Sequence, residues 1–396
     1  MGEEERLRQH LFDDLVARGV IRERQVEAAF RGVGRHHFLP GRPLTEVYSD
    51  SALPTHRSSD GVALSSSSQP AIMAVMLQQL GVSPGQQVLE VGAGTGYNAA
   101  LLGELVGPDG GVVSVDIDPT IVAEARRGLE RSGTGNVEVA AGDGAAGWPE
   151  AAPYDRVIAT CSSDEVPEAW VGQLAEGGRI VLPLELRPAV MFAVALERDG
   201  ACLRSVSASP CGFMRIRGSM AAGRTEPLRL ASGVFLESEA RPVGPEQIVA
   251  WLRAPVASAP VTGTGGADAF SGFRLWLSLT DPGACTLMLP PELVEDRSWP
   301  AAWRGGGAAF TWGVLADDGI CLLDRQTHGD GVVLRSYGGP SAAERYERAA
   351  ASWRAAGEPG QNGVRVTICP AEAPVAAPPA AHVLRRRWSN IVVELV

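Results

Sequence analysis

Apolar positions in residues 3–30 recur at helical spacing: Leu7, Leu11, Leu15 and Val16, then Val26, Ala29 and Phe30, with a break at Gly19. This predicts two short amphipathic helices. From Tyr48 to Pro70 the periodicity stops and serine, proline and glycine take over, including the run Ser65 to Ser68. Such text predicts a long surface loop of the kind that carries function. A helix fits Ala71 to Leu80, closed by Gly81 and Pro84. Short apolar runs then alternate with helical ones. Strands are expected at 88–91, at 111–115 ending in Asp116, and at 137–140, 156–159 and 178–182; helices are expected at 97–106, 119–131 and 166–174. Strands and helices in this alternation predict a parallel sheet with helices on both faces, a doubly wound α/β fold.

Past about residue 215 the rhythm is lost. Strand-like runs at 273–279, 310–315, 320–323, 332–336, 364–369 and 383–396, with helical runs at 246–253 and 342–355, predict a mixed α+β unit. The stretch APVAAPPAA (373–381) reads as an extended connector. The expected organisation is an N-terminal helical segment (1–47), an α/β domain (48–215) and a C-terminal α+β domain (216–396).

With 45% hydrophobic positions in 396 residues, the chain can bury sizeable cores and is not disordered by composition. Its formal net charge of -11 argues against a nucleic-acid or anionic-membrane partner. All 35 basic residues are arginine, which excludes a lysine Schiff base and a phosphate loop ending in GK[ST]. The six cysteines are widely spaced without a CxxC pair, unlike a secreted disulfide scaffold, and no metal site is expected. The N-terminal stretch lacks the apolar core of a signal peptide, and no window approaches 18 uninterrupted apolar residues. A soluble cytoplasmic protein is the expectation.

One motif changes the picture. Gly92-Ala93-Gly94-Thr95-Gly96 follows the first strand of the alternation and opens a helix, and Asp116 ends the next strand 20 positions past Gly96. Glycines there let the backbone approach a ligand at the carboxyl ends of the strands, and the acid can accept hydrogen bonds from ribose hydroxyls. A dinucleotide usually wants GxGxxG. Here the pattern is GxGxG preceded by Glu90, with Gly142-Asp143-Gly144 after the third strand, where Asp143 can meet an adenine amino group. This suits S-adenosylmethionine. The residues expected at the cofactor are Glu90, Gly92, Ala93, Gly94, Thr95, Gly96, Asp116, Ile117, Asp143 and Gly144.

Residues 6–184 resemble the protein L-isoaspartyl O-methyltransferase family. The opening LVARGVIRERQVEAAFRGVGRHHFLP, the Tyr48-Ser49-Asp50 and Ala52-Leu53-Pro54 segment, Ser67-Ser68-Gln69-Pro70, and VLEVGAGTGYNAALL (88–102) match in order. So do 141–144, 152–155 and 177–183. The resemblance implies a Rossmann-like class I methyltransferase and places Ser68 at the family's active-site serine, with Ser66 where the family has a threonine. Two departures stand out. The interval between Pro54 and Ser68 is longer than the family's by several residues, and about 180 residues follow the matched part. Long forms of this kind resemble enzymes that modify ribosomally made peptides, which implies a modified precursor peptide bearing an aspartate as partner.

An ionised carboxylate is already a nucleophile at neutral pH, with a reference pKa near 3.9, so approach and orientation are what the protein must supply. No catalytic histidine is expected: His36 and His37 read as packing residues, with His56 in the divergent interval less easily placed. Cys161 reads as a small hydrophobe. An N6-adenine methyltransferase would carry [DN]PP[FY] where this chain has Ala159-Thr160-Cys161-Ser162, and Pro210-Cys211 lies too late for a cytosine-C5 nucleophile. A small-molecule methyltransferase and a non-catalytic cofactor-binding module are the other classes. The intact glycines and Asp116 count against the module. Arg385-Arg386-Arg387 beside Trp388 is either a solvated strand face or a grip for an acidic peptide.

Overall fold

The structure is a computed structural model and describes residues 2–57, 63–221, 226–261, 267–290, 293, 299–300, 303–305, 308–325, 331–375 and 377–396. Strands β1 (Leu53–Arg57) and β2 (Ala63–Ser67) form an antiparallel hairpin. Next come β3 (Gln87–Val91), β4 (Gly111–Asp116), β5 (Val137–Ala141), β6 (Tyr154–Ala159), β7 (Leu174–Arg187), β8 (Val190–Asp199) and β9 (Cys202–Cys211). The segment β3 to β7 is a parallel sheet in the order 5-4-3-6-7, with β8 and β9 added antiparallel. The chain leaves β3 in one direction for β4 and β5, then returns to β6 on its other side. This reversal makes the carboxyl end of β3 a topological switch point.

The parallel strands form where the apolar runs are nearly continuous, because both faces are covered: Val88, Leu89 and Val91, then Val112, Val113 and Val115, are all buried. Helix Tyr97–Val106 is buried along almost its whole length. The N-terminal helices Glu3–Ala17 and Arg24–Gly32 join its core through Phe12, Phe30 and Tyr97, with ring centroids 5.1 Å (Phe12–Phe30) and 6.3 Å (Phe30–Tyr97) apart. Residues 1–47 thus share the core of the α/β unit.

The 48–70 stretch departs from the expected loop. It contains the β1–β2 hairpin, whose inward positions on β2 are serines, Ser65 and Ser67, while Leu64 faces outward and is exposed. Serine at the buried positions hides the alternation that marks a strand. Residues 58–62, inside the divergent interval, lie outside the described residues.

A second antiparallel sheet is built from β10 (Leu228–Ala231), β11 (Val234–Ser238), β12 (Ala257–Pro260), β13 (Ala284–Leu289), β14 (Trp303–Gly305), β15 (Ala308–Leu315), β16 (Gly319–Arg325) and β17 (Val332–Gly338). The strand expected at 273–279 is instead a helix, Ala267–Thr280. Its alternating apolar residues have a physical explanation: Phe273 and Leu277 pack in the core of the second sheet, while Leu275 and Leu279 pack in the core of the first. A helix sandwiched between two sheets is apolar on two faces, and here that imitates a period of two.

The last strands, β18 (Val364–Pro370), β19 (His382–Arg385) and β20 (Ser389–Leu395), return to the first sheet, where β18 pairs with β9. The 216–396 segment is therefore not one sheet-forming unit: its last three strands complete a ten-stranded sheet begun at residue 87. Cys202 and Cys369 form a disulfide across this junction, a pairing that the spacing did not announce. Among the described residues, no helix is long and apolar enough to cross a membrane.

Because the disulfide closes a span of 167 residues, its loss should destabilise the fold by about 2–4 kcal/mol. Urea denaturation of Cys369→Ser against the oxidised parent measures this, and the parent under reductant should match the variant.

Candidate active site

The turn after β3 is shaped by crowding. Gly92 has φ +99°, and a Cβ there would stand 2.5 Å from the Thr160 hydroxyl, which itself bonds the Gly92 carbonyl. Gly96 has φ +86°, and its Cβ would meet Ala125 backbone at 3.1–3.2 Å. Only glycine fits either place. The peptide can therefore pass close under a ligand before Tyr97 starts the helix.

Three acids surround this turn. Glu90 is fully buried, its carboxylate accepting from Asn98 Nδ2 at 2.7 Å and from the Ser114 hydroxyl. Burial pushes its pKa up to about 7, with the nearby Asp116 charge adding to the rise and the Ser114 and Asn98 bonds opposing it. Glu90 therefore braces β3 against β4 and the helix, and offers no exposed oxygen to a ligand. Asp116, at the end of β4, accepts from the Gly94 N–H at 3.2 Å and the Asp118 N–H at 3.1 Å. Ile117 beyond it is 38% exposed, an apolar surface next to the acid. Asp143 follows β5. Burial alone would raise its carboxyl, but the N–H groups of Ser219 at 2.8 Å and Ala145 at 3.0 Å outweigh this and hold it below the ordinary range. Gly144 begins the next turn, and its carbonyl accepts from Trp170 Nε1.

The hairpin lies on the other side of the turn. The Ser66 carbonyl is 3.4 Å and the Ser65 hydroxyl 4.0 Å from where a Gly94 Cβ would be, so β2 borders the turn at this point; Ser66 and Ser68 are both partly exposed. His56 is tied to Glu124 on helix Pro119–Ser132, with Nε2 2.7 Å from the carboxylate. His36 Nδ1 is 2.9 Å from the Tyr48 hydroxyl and stacks near His37. Cys161, partly buried, donates to the Val91 carbonyl.

Sequence reasoning missed three features of this region. Arg35, wholly buried, binds the backbone of both flanking segments. Asp50 accepts from the Ala71 N–H at 2.9 Å and so caps helix Pro70–Leu80 from across the loop. Residues 214–219 run along the carboxyl edge: Ser162 exchanges backbone bonds with Met214 and Ile216, Arg217 lies 3.6 Å from Asp116, and Ser219 reaches Asp143. Only the Tyr-x-Asp motif gave a signal, and it pointed to a segment without naming a bond.

A glycine cradle at the switch point, with an acid closing each of the next two strands and an apolar residue beside the first, fits S-adenosylmethionine. The molecule is a class I methyltransferase that uses this donor. A profile of the protein-L-isoaspartate(D-aspartate) O-methyltransferase family matches residues 5–216, and the chain belongs to that family. It is an S-adenosylmethionine-dependent protein carboxyl O-methyltransferase.

The protein-L-isoaspartate O-methyltransferase of Thermotoga maritima is 42% identical over 192 residues, covering 47% of this chain and 59% of that protein. That of Methanopyrus kandleri is 38% identical over 215 residues, covering 54% and 92%. A solved protein-L-isoaspartate O-methyltransferase superposes on 97% of this chain and 98% of its own, with 25% identity and a TM-score of 0.52. That likeness extends beyond residue 216, so the C-terminal extension does not by itself separate this chain from proteins of that name.

Two outcomes follow from the acids. Asp116→Asn should weaken binding of S-adenosylhomocysteine about 10- to 100-fold by calorimetry, the scale of a lost charged hydrogen bond. Glu90 has its pKa raised on folding from 4.5 to about 7, so the native state holds the extra proton between these values. Its contribution is fully present below about pH 4.5 and is lost as pH rises through 7. Glu90→Gln should therefore be more stable than the parent at pH 8, by on the order of 3 kcal/mol at most. Denaturation midpoints for the two proteins should converge near pH 4.5.

Proposed function

We propose that the protein transfers a methyl group to the side-chain carboxylate of an aspartate in a ribosomally made, post-translationally modified peptide. Bound S-adenosylmethionine supplies an electrophilic methyl on sulfur. Gly92, Gly94 and Gly96 offer close backbone contact to the donor, Asp116 accepts from its ribose, and Ile117 and Asp143 take its adenine. Ser66 and Ser68 hold the acceptor carboxylate by hydrogen bonds that leave it ionised. No general base is needed, since the acceptor has no proton to lose. Once esterified, the aspartate is open to attack by the following backbone nitrogen. That nitrogen gives up its proton and displaces the methoxy group as methanol, closing a succinimide, and hydrolysis of the ring can give isoaspartate.

The observation that carries this reading is the altered acceptor side. By the resemblance the interval between Pro54 and Ser68 is longer than the family's, and its described residues, 55–57 and 63–67, belong to paired strands bordering the donor turn. An acceptor loop remade at the point of substrate entry favours an acceptor other than a linear isoaspartyl segment. A second reading, repair of isoaspartate in damaged proteins, is favoured by the names of the relatives and by a solved protein of that name matching nearly the whole chain.

Labelled donor distinguishes them. The protein should methylate a conformationally constrained peptide bearing an ordinary aspartate, yielding a product lighter than the substrate by one water after ring closure. A linear isoaspartyl peptide should be a poor acceptor. Efficient methylation of that linear peptide, with no transfer to ordinary aspartate, would establish repair instead.

A further inference from the structure

Arg35 is the one arginine among the described residues with no measurable exposure, and its hydrogen-bond partners include no carboxylate. Nη1 donates to the carbonyls of Val47 at 2.9 Å and Ser49 at 3.1 Å. Nη2 donates to those of Ser51 at 3.1 Å, Ser67 at 3.3 Å and Ser68 at 2.9 Å, and Nε faces the Ser67 hydroxyl at 3.3 Å. Burial lowers its pKa to about 10, which leaves it charged at neutral pH.

A buried charge with only neutral acceptors is an expensive way to join two segments, since apolar residues commonly replace buried ions without loss of stability. The planar fork has one property that an apolar side chain lacks: it fixes several carbonyls in one plane at once. The carbonyls it fixes belong to the Tyr-x-Asp segment and to the end of β2, next to the Gly94 turn. Its charge also lies immediately behind the strand that meets the acceptor, in surroundings where fields are weakly screened.

We propose that Arg35 is a positioning residue for methyl transfer. It sets the backbone of Ser67 and Ser68 against the donor turn, and its charge, only partly offset by the nearby Asp50, favours an anionic acceptor there. The inference rests on the acceptor carboxylate meeting Ser66 and Ser68, as proposed above.

The test compares Arg35→Met, Arg35→Lys and Ser68→Ala with Phe12→Leu, a core change on helix Glu3–Ala17, outside both the donor turn and β2, that lowers stability. Each variant is assayed well below its melting temperature for kcat, acceptor KM and S-adenosylhomocysteine affinity. Arg35→Met should lose about tenfold or more in kcat and raise acceptor KM, while donor affinity stays within about twofold. Arg35→Lys keeps the charge without the fork, so it should recover KM more than kcat. It also serves if the methionine variant does not fold.

Phe12→Leu should keep both constants. If Arg35→Met or Arg35→Lys behaves like Phe12→Leu while Ser68→Ala slows transfer, Arg35 is merely structural and the proposal is overturned. If Ser68→Ala and both Arg35 variants all turn over normally, the placement of the acceptor fails as well, and the proposal goes with it.

Discussion

The site depends on one constraint: the chain must leave β3 through a turn that has no room for side chains at two of its glycines. Thr160 crowds Gly92 from the end of β6, and Ala125 crowds Gly96 from the helix after β4. Those neighbours are themselves fixed by the parallel sheet, so the turn is held from both sides of the switch point. Beneath it, Glu90 links Asn98 on the helix to Ser114 on β4 at the cost of a buried carboxyl. The result is a preformed backbone surface, which is what transfer between two bound partners requires when orientation is the main source of rate.

The proposed acceptor side is assembled differently. No single element carries it; the hairpin, the Tyr-x-Asp segment and helix Pro70–Leu80 are joined by Arg35 and Asp50. The second sheet connects through the same edge. Arg215 bonds both Glu185 on β7 and Glu237 on β11, at 2.7 Å and 2.6 Å, directly upstream of the segment that reaches Asp116 and Asp143. Trp388 and Ser389, at the start of β20, bond Glu165 in the loop after β6. Arg386 donates to the Leu186 carbonyl, and Arg387 lies over the Trp388 ring. The C-terminal chain therefore touches the segments after β6 and β9 at two separate places.

The alternation of β3 to β7 and its helices was legible because apolar runs alternate with helical spacing and several of the elements, such as β3, β5 and helix Tyr97–Val106, stop at a glycine. The glycine turn after β3 was legible for the same reason, as glycines at fixed offsets after a strand have few other uses. What escaped notice did so for physical reasons. Serines at the inward positions of β2 carry no hydrophobic signal. Helix Ala267–Thr280, buried on two faces, shows the period of a strand. The return of β18 to β9 pairs residues more than 150 positions apart, which no local pattern encodes. Arg35 is one of 35 basic residues, and nothing adjacent to it in sequence distinguishes a buried fork from a solvated one. Glu90 was expected at the cofactor, but it is fully buried and its contacts face inward, to Asn98 and Ser114.

The most direct test of the whole account is a crystal structure of the protein with S-adenosylhomocysteine. The account predicts the homocysteine sulfur between the Gly92–Gly96 turn and the Ser66–Ser68 strand, with the ribose on Asp116 and the adenine beside Asp143. A ligand found elsewhere, or one whose sulfur faces away from those serines, would contradict it.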